Sequence, residues 1–333
     1  MPIRQVEIVI PGNEEALCRE LLDTESVVHF WQNHSESSGY LLKVMVDATQ
    51  SEAFLDRAEQ MLSSKEGYRI TVMSVDATLP RIDAEEPVTE KQEDDEDSLL
   101  TGLRVSREEL YTEISDSTRL TRVYMALVVF STIVAALGTL RDNTAVVIGA
   151  MVIAPLLGPN VGLSLSTTLA DFRLGLDSIK TNLAGLITSL AISILLGLFM
   201  EVDPTVYNIA SRTEVHLSDI SLALASGAAG VLAYTMGMST AVIGVMVAVA
   251  LLPPLVTCGL LIGDAQWALA WYSFLLLVTN VICVNLAGVA TFILQGVRPR
   301  TWYESEKAKR INKYALTIWI VLLVMLAVTI YHT

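Results

Sequence analysis

Six stretches of this 333-residue chain contain no Asp, Glu, Lys or Arg and are dominated by apolar side chains: 123–140, 143–170, 181–200, 220–263, 265–297 and 314–331. A membrane-spanning helix needs about 20 apolar residues, because the hydrocarbon layer is about 30 Å thick. The stretch 220–263 is long enough for two such helices, with a break near Met236-Gly237-Met238-Ser239. Seven spans are therefore expected. Buried helices of a large soluble protein do not account for so many uncharged runs. The expected fold class is a polytopic α-helical membrane protein preceded by a small α+β domain.

The charges are confined elsewhere. Residues 1–120 hold 26 acidic and 11 basic side chains, whereas residues 121–333 hold 10 and 11. An acidic, water-exposed third thus precedes a nearly neutral apolar part. Binding to nucleic acid is disfavoured, since it needs a basic face against phosphate. Basic residues in short loops orient a membrane protein. Arg119 and Arg122, then Arg173 and Lys180, then the cluster Arg298, Arg300, Lys307, Lys309, Arg310 and Lys313 all fall on one side of a seven-span chain. The other side has Arg141 and Arg212 amid Glu201, Asp203, Glu214 and Asp219. This places the N-terminal domain in the cytoplasm and the C-terminus outside an inner (cytoplasmic) membrane. The N-terminus lacks a basic start followed by an apolar core, so no cleaved signal peptide is expected.

Within residues 1–80, segments 4–10, 26–32, 40–46 and 69–75 read as strands. Asn13 is placed to cap a helix over 14–22, and Ser51 to cap one through Leu62. The order is βαββαβ, a ferredoxin-like domain. His29 and His34 read as strand and turn residues, because no cysteine or second histidine pair joins them. Cys18, Cys258 and Cys283 are scattered, so neither a disulfide framework nor a zinc site is expected. Residues 81–105 form an acidic linker, with nine acidic residues and one lysine between Asp83 and Asp97. Ser106-Arg107-Glu108-Glu109 matches a capping box that opens an interfacial amphipathic helix over 106–121.

The apolar part repeats itself. Residues 148–159 (IGAMVIAPLLGP) and 243–254 (IGVMVAVALLPP) are identical at seven of twelve positions. Each copy is the second span of a three-span unit, 122–200 and 218–297, with 314–331 as an additional span. An odd number of spans per unit makes the copies cross in opposite directions, as in many secondary transporters. Pro155, Pro159, Pro253 and Pro254 fall inside the spans and are expected to break them, because proline removes a donor and clashes with the preceding turn. Paired interruptions in two halves point to a central site. Asn160 and Thr257 are the polar side chains nearest the breaks, so the two broken spans are expected to share a cavity there. Asn280 and Asn285 in span six, Asn143 at the start of span two and Thr240 at the start of span five complete the candidate substrate-binding set. Such side chains offer oxygens to a cation or hydrogen bonds to a solute, or they tie helices together. No charged side chain lies deep in a span, and no catalytic or metal-binding set is evident.

The segment Asp142-Asn-Thr-Ala-Val-Val-Ile-Gly-Ala-Met-Val-Ile-Ala-Pro-Leu-Leu-Gly-Pro159, with Leu251-Leu-Pro-Pro254, resembles the DUF389 family of prokaryotic membrane proteins. The resemblance covers roughly residues 105–297. It implies a multi-span membrane protein in which Asp142, Asn143, Gly149, Pro155 and Pro159 are family positions, and it supplies no catalytic residue and no cofactor. The expected function is a transporter or channel for a small solute or ion, governed by the cytoplasmic domain. The alternatives are a membrane-anchored ligand sensor or scaffold and, after it, an intramembrane enzyme. Spans two and five are rich in small residues that permit close helix approach, and ferredoxin-like domains pair through sheet edges, so a homo-oligomer in the lipid bilayer is expected. The charge bias makes a direct prediction. In intact cells Glu306→Cys is expected to be protected from a membrane-impermeant thiol reagent, and labelling from outside would reverse the orientation.

Overall fold

The structure, a computed structural model, describes residues 3–11, 15–22, 27–35, 39–47, 50–63, 65–75, 105–237, 240–297, 317–326 and 328–329. Residues 81–104 of the acidic linker, Asn13 and the basic segment 298–313 lie outside the described residues. The chain divides into two compact units, 1–109 and 110–333.

The first unit contains β1 (Ile3–Ile10), α1 (Glu15–Leu22), β2 (Val27–Ser35), β3 (Gly39–Asp47), α2 (Ser51–Leu62) and β4 (Arg69–Val75). The strands form one antiparallel sheet in the order β2-β3-β1-β4. Alternation puts Val6, Ile8 and Ile10 of β1 on the same face as Leu42, Val44 and Val46 of β3, and all six are buried. The register pairs Val6 with Val44 and Ile8 with Leu42. Phe54, Leu55, Ala58 and Leu62 of α2, with Cys18 and Leu21 of α1, cover this face. Two local expectations are revised. β2 runs three residues further than the pattern suggested, because Asn33, His34 and Ser35 pair with Leu41, Tyr40 and Gly39. Gln50, not Ser51, occupies the N-cap of α2, with no side-chain cap; Ser51 is the first helical residue. His29 sits in β2 with its ring edge-on to Trp31, centroids 4.6 Å apart.

Helix α3 (Arg107–Ser117) opens where the capping box predicted, with the Glu109 amide donating to Ser106 Oγ at 3.3 Å. Arg107 is paired with Asp56 at 2.8 Å, and Arg4 with Glu109 at 3.2 Å. The chain then builds a bundle from α4 (Arg122–Leu140), α5 (Thr144–Ile153), α6 (Leu157–Leu169), α7 (Phe172–Phe199), α8 (Tyr207–Ala210), α9 (Leu217–Thr235), α10 (Thr240–Gly263), α11 (Trp267–Leu294) and α12 (Thr317–Leu326). Among the described residues, α4, α7 and α11 are long and apolar enough to cross a membrane, and α5 with α6 makes a fourth if the bent pair is one span. α4 packs on α5 and α7, α6 on α7 and α11, α7 on α10, and α9 on α10 and α11. α12 lays Leu326 against Leu275 and Ile282 of α11.

The prolines act differently from one another. The bend between α5 and α6 is 52° and falls at Pro155. Ring atoms of a proline exclude the helical conformation from the residue before it. Ala154 accordingly ends α5 in an extended conformation, φ −68° and ψ 120°. Pro159, expected to break the span, is instead the third residue of α6. Amides of the first turn have no intrahelical partner, so a proline there forfeits nothing. Pro253 and Pro254 also depart from expectation, since α10 continues through both. Prolines within apolar helices are tolerated where neighbours can satisfy the freed carbonyls, and α4, α5, α7, α9 and α11 all pack against α10. The turn between α9 and α10 is made by Gly237 in the left-handed region, φ 67°.

Helices α7 and α10 meet backbone to backbone. A Cβ added to Gly197 would overlap the Leu260 carbonyl, one on Gly263 the Ile194 carbonyl, and one on Gly259 the Ser193 side chain. Gly263→Ala is therefore expected to cost about 1–3 kcal/mol as overpacking, read as a lower thermal midpoint in detergent. Gly149→Ala, with nothing within 4 Å of its added methyl, is expected to leave the midpoint unchanged. Equal midpoints for the two variants would contradict this close approach.

Candidate functional site

The bend at Pro155 opens backbone groups inside an apolar bundle, where each must find a partner. Asn160, one turn into α6 and fully buried, answers this directly. Its Nδ2 donates to the Leu156 carbonyl at 2.8 Å. Its Oδ1 accepts from Asn182 Nδ2 of α7 at 3.0 Å and from Asn285 Nδ2 of α11 at 3.1 Å. Ser164 Oγ, one turn further along α6, lies 3.3 Å from Asn285 Oδ1. Three helices are thus joined by one buried amide cluster beside the bend. Asn160 and Asn285 were candidates from the sequence. Asn182 was not, although it is an isolated amide in a charge-free run and could have been read the same way.

The other candidates lie elsewhere. Thr257 is buried in α10, and its Oγ1 has no hydrogen-bond partner among the described residues. Among the described residues no hydrogen bond joins it to Asn160, which bonds instead to Asn182 and Asn285. Asn143 is exposed at the N-cap of α5 and accepts from the Val146 amide at 3.1 Å, a capping role. Thr240 opens α10, and its side chain lies outside the described residues. Asn280 and Pro254 line a cavity of about 530 Å³ between α9, α10 and α11, together with Arg212, Asp219 and Ser226.

Arg212 was noted in the sequence only as a charge in an outer loop, and its position depends on the Asp142-Asn143-Thr144 segment. Asp142 takes up a left-handed conformation, φ 50°. Its Oδ1 accepts from the Asn208 amide at 3.0 Å and from Asn208 Nδ2 at 2.7 Å, and Thr144 Oγ1 lies 3.2 Å from the same Nδ2. Asn208, thus fixed in α8, presents its carbonyl to Arg212 Nη1. Ser273 of α11 donates to the Arg212 carbonyl at 2.8 Å. Every hydrogen bond of the guanidinium among the described residues comes from Nη1 and goes to a neutral acceptor. Burial pushes the Arg212 pKa below its ordinary value, against a smaller opposing pull from Tyr207 and Asp142. Asp219, on the same cavity, accepts from the His216 amide at 2.8 Å and so caps α9.

The Asp142–Pro159 segment that carried the resemblance is therefore the one that builds both the bend and the loop holding Arg212. A family model described as a domain of unknown function, DUF389, matches residues 151–286. A protein of Methanocaldococcus jannaschii, itself described as uncharacterised, is 35% identical over 335 residues, spanning the whole of both chains. The chain belongs to the DUF389 family. No solved structure matches it.

The amide cluster yields a stability prediction. Asn160→Ala in this DUF389 protein removes the shared acceptor and leaves the buried Asn182 amide without it. The expected cost is about 1–3 kcal/mol, measured as a lower midpoint of thermal unfolding in detergent. An unchanged midpoint would show that the cluster does not hold α6, α7 and α11 together.

Proposed function

We propose that this protein is a membrane transporter or channel for a small polar or ionic solute, with the cavity at Arg212, Asn280 and Pro254 as its solute site. The observation that carries the reading is the half-buried guanidinium beside that cavity, whose hydrogen bonds among the described residues go only to neutral acceptors. Ionisable groups among apolar helices are costly and are kept where they serve a solute. Asn280 on α11 adds an amide, and Pro254 on α10 frees a carbonyl one turn back along the helix.

In this reading the chain crosses the inner membrane seven times as two inverted three-helix repeats plus α12. The helix contacts support the repeat. Exchange of α4, α5–α6 and α7 for α9, α10 and α11 carries the α4–α7 contact onto α9–α11, α6–α7 onto α10–α11, and α7–α10 onto α11–α6. Hydrogen bonds at the helix ends support the alternation of direction. Asn208 with Asp142, and Gln266 with the Val202 carbonyl, gather the connections 141–143, 200–208 and 264–266 at one end. The ferredoxin-like unit faces the cytoplasm and regulates passage, the assembly is a homo-oligomer, and no catalysis is involved.

A membrane-anchored sensor is the second reading. It is favoured by a cavity of about 420 Å³ on the sheet face opposite α1 and α2, lined by Gln5, Trp31, Gln32, Asn33, Leu41 and Lys43. One experiment separates the two. Purified protein in liposomes is screened for uptake of labelled inorganic ions and small metabolites, with Arg212→Gln as the comparison. A charge-assisted hydrogen bond contributes about 1.5–3 kcal/mol, so uptake of the active solute is expected to fall by at least about tenfold while the variant elutes as a folded assembly. Absence of flux across the panel, with a solute bound by residues 1–75 alone, would sink the transport reading and favour the sensor.

A further inference from the structure

We propose that the pocket between the end of α3 and the first turns of α7 binds the phosphate headgroup of an anionic phospholipid. The pocket, about 470 Å³, is lined by three cations: Arg119 in the turn after α3, and Arg173 and Lys180 on α7. Thr118 and Thr181 are also on its wall. Arg119 lies 3.4 Å from Asp116 and Lys180 lies 3.7 Å from Asp177, all with exposed side chains. Exposed pairs of this kind contribute little and exchange readily for another anion. Arg173 forms no ion pair among the described residues. The site offers cationic donors to a phosphate and contains one acidic lining residue, Asp177.

A second feature selects a lipid over a free phosphate. Phe172, Leu176, Ile179 and Leu183 recur at helical spacing on α7 and are all exposed, Phe172 by 67%. This stripe lies one helix position from Arg173, Asp177 and Lys180, so the apolar stripe and the cationic pocket share an edge. A phosphate among the cations would lay its acyl chains along the stripe, whereas a soluble phosphate would leave it bare. Basic pockets at the headgroup level of helical bundles bind anionic lipids in this way. The inference needs the helices to lie in a bilayer, as in the proposed function, and does not need transport.

The test uses the full chain in mild detergent with equal phosphatidylglycerol and phosphatidylcholine, and native mass spectrometry to count retained lipid. Phosphatidylglycerol is expected to be retained at least about fivefold over phosphatidylcholine. Each basic residue near an anionic surface contributes about 1 kcal/mol, or about fivefold. Arg173→Gln is therefore expected to lower retention about fivefold, and Arg173→Gln with Lys180→Gln about 25-fold. The charge-preserving pair Arg173→Lys and Lys180→Arg should keep it, as should Arg141→Gln at an exposed site beyond the far end of α4. Equal retention of the two lipids, or a double Gln variant that retains phosphatidylglycerol like the wild type, would overturn the proposal. Thermal stabilisation by inorganic phosphate alone, lost in the double Gln variant and accompanied by no lipid preference, would assign the pocket to a soluble phosphate instead. Retained lipid in a protein without flux would leave this site standing and remove the transport reading.

Discussion

A backbone carbonyl or amide among apolar helices has no water to turn to, and the bundle is organised around that constraint at one place. Pro155 forces Ala154 out of the helical conformation and bends the chain by 52°. The bend would be costly if its polar groups stayed unpaired. Asn160 bonds the Leu156 carbonyl, and its remaining oxygen gathers amides from two further helices. The same residue that satisfies the bend therefore positions α7 and α11. α7 in turn sets the approach of α10, and α11 forms one wall of the cavity at Arg212.

Much of the architecture was legible because its causes are local. Uncharged runs mark the long helices, Gly237 marks the turn before α10, and alternation in β1 and β3 marks the sheet. The errors arise where local chemistry meets position. All four prolines were expected to break helices, and three of them do not. Pro159 escapes because it stands in a first turn, where its missing donor is not needed. Pro253 and Pro254 escape within α10, against which α4, α5, α7, α9 and α11 pack. The sequence carried a warning of this asymmetry: Pro155 aligns with Ala250 in the second copy, so the residue that makes the bend has no counterpart.

The candidate residues divide for similar reasons. Asn160 and Asn285 are 125 positions apart and meet at 3.1 Å, which no spacing rule could reveal. Asn280, five residues before Asn285, points to a different place, as the helical period requires. Arg212 was hidden by its location. A single arginine between apolar runs reads as topology until a fold shows Asp142 and Asn208 fastening it beside a cavity. The family segment Asp142–Pro159 thus does two jobs from one stretch of chain. Its first residues secure the loop that carries the cation, and its last residues build the bend and supply the amide that satisfies it.

The contact of α7 with α10 has a mechanical meaning. Side chains that meet across an interface can change rotamer and accommodate small shifts one at a time. At Gly197, Gly259 and Gly263 main chain abuts main chain or a short serine, so there is little to rearrange. These two helices form a hard seam. Any motion of α7 against α10 must either pivot about that seam with its contacts kept, or part it all at once.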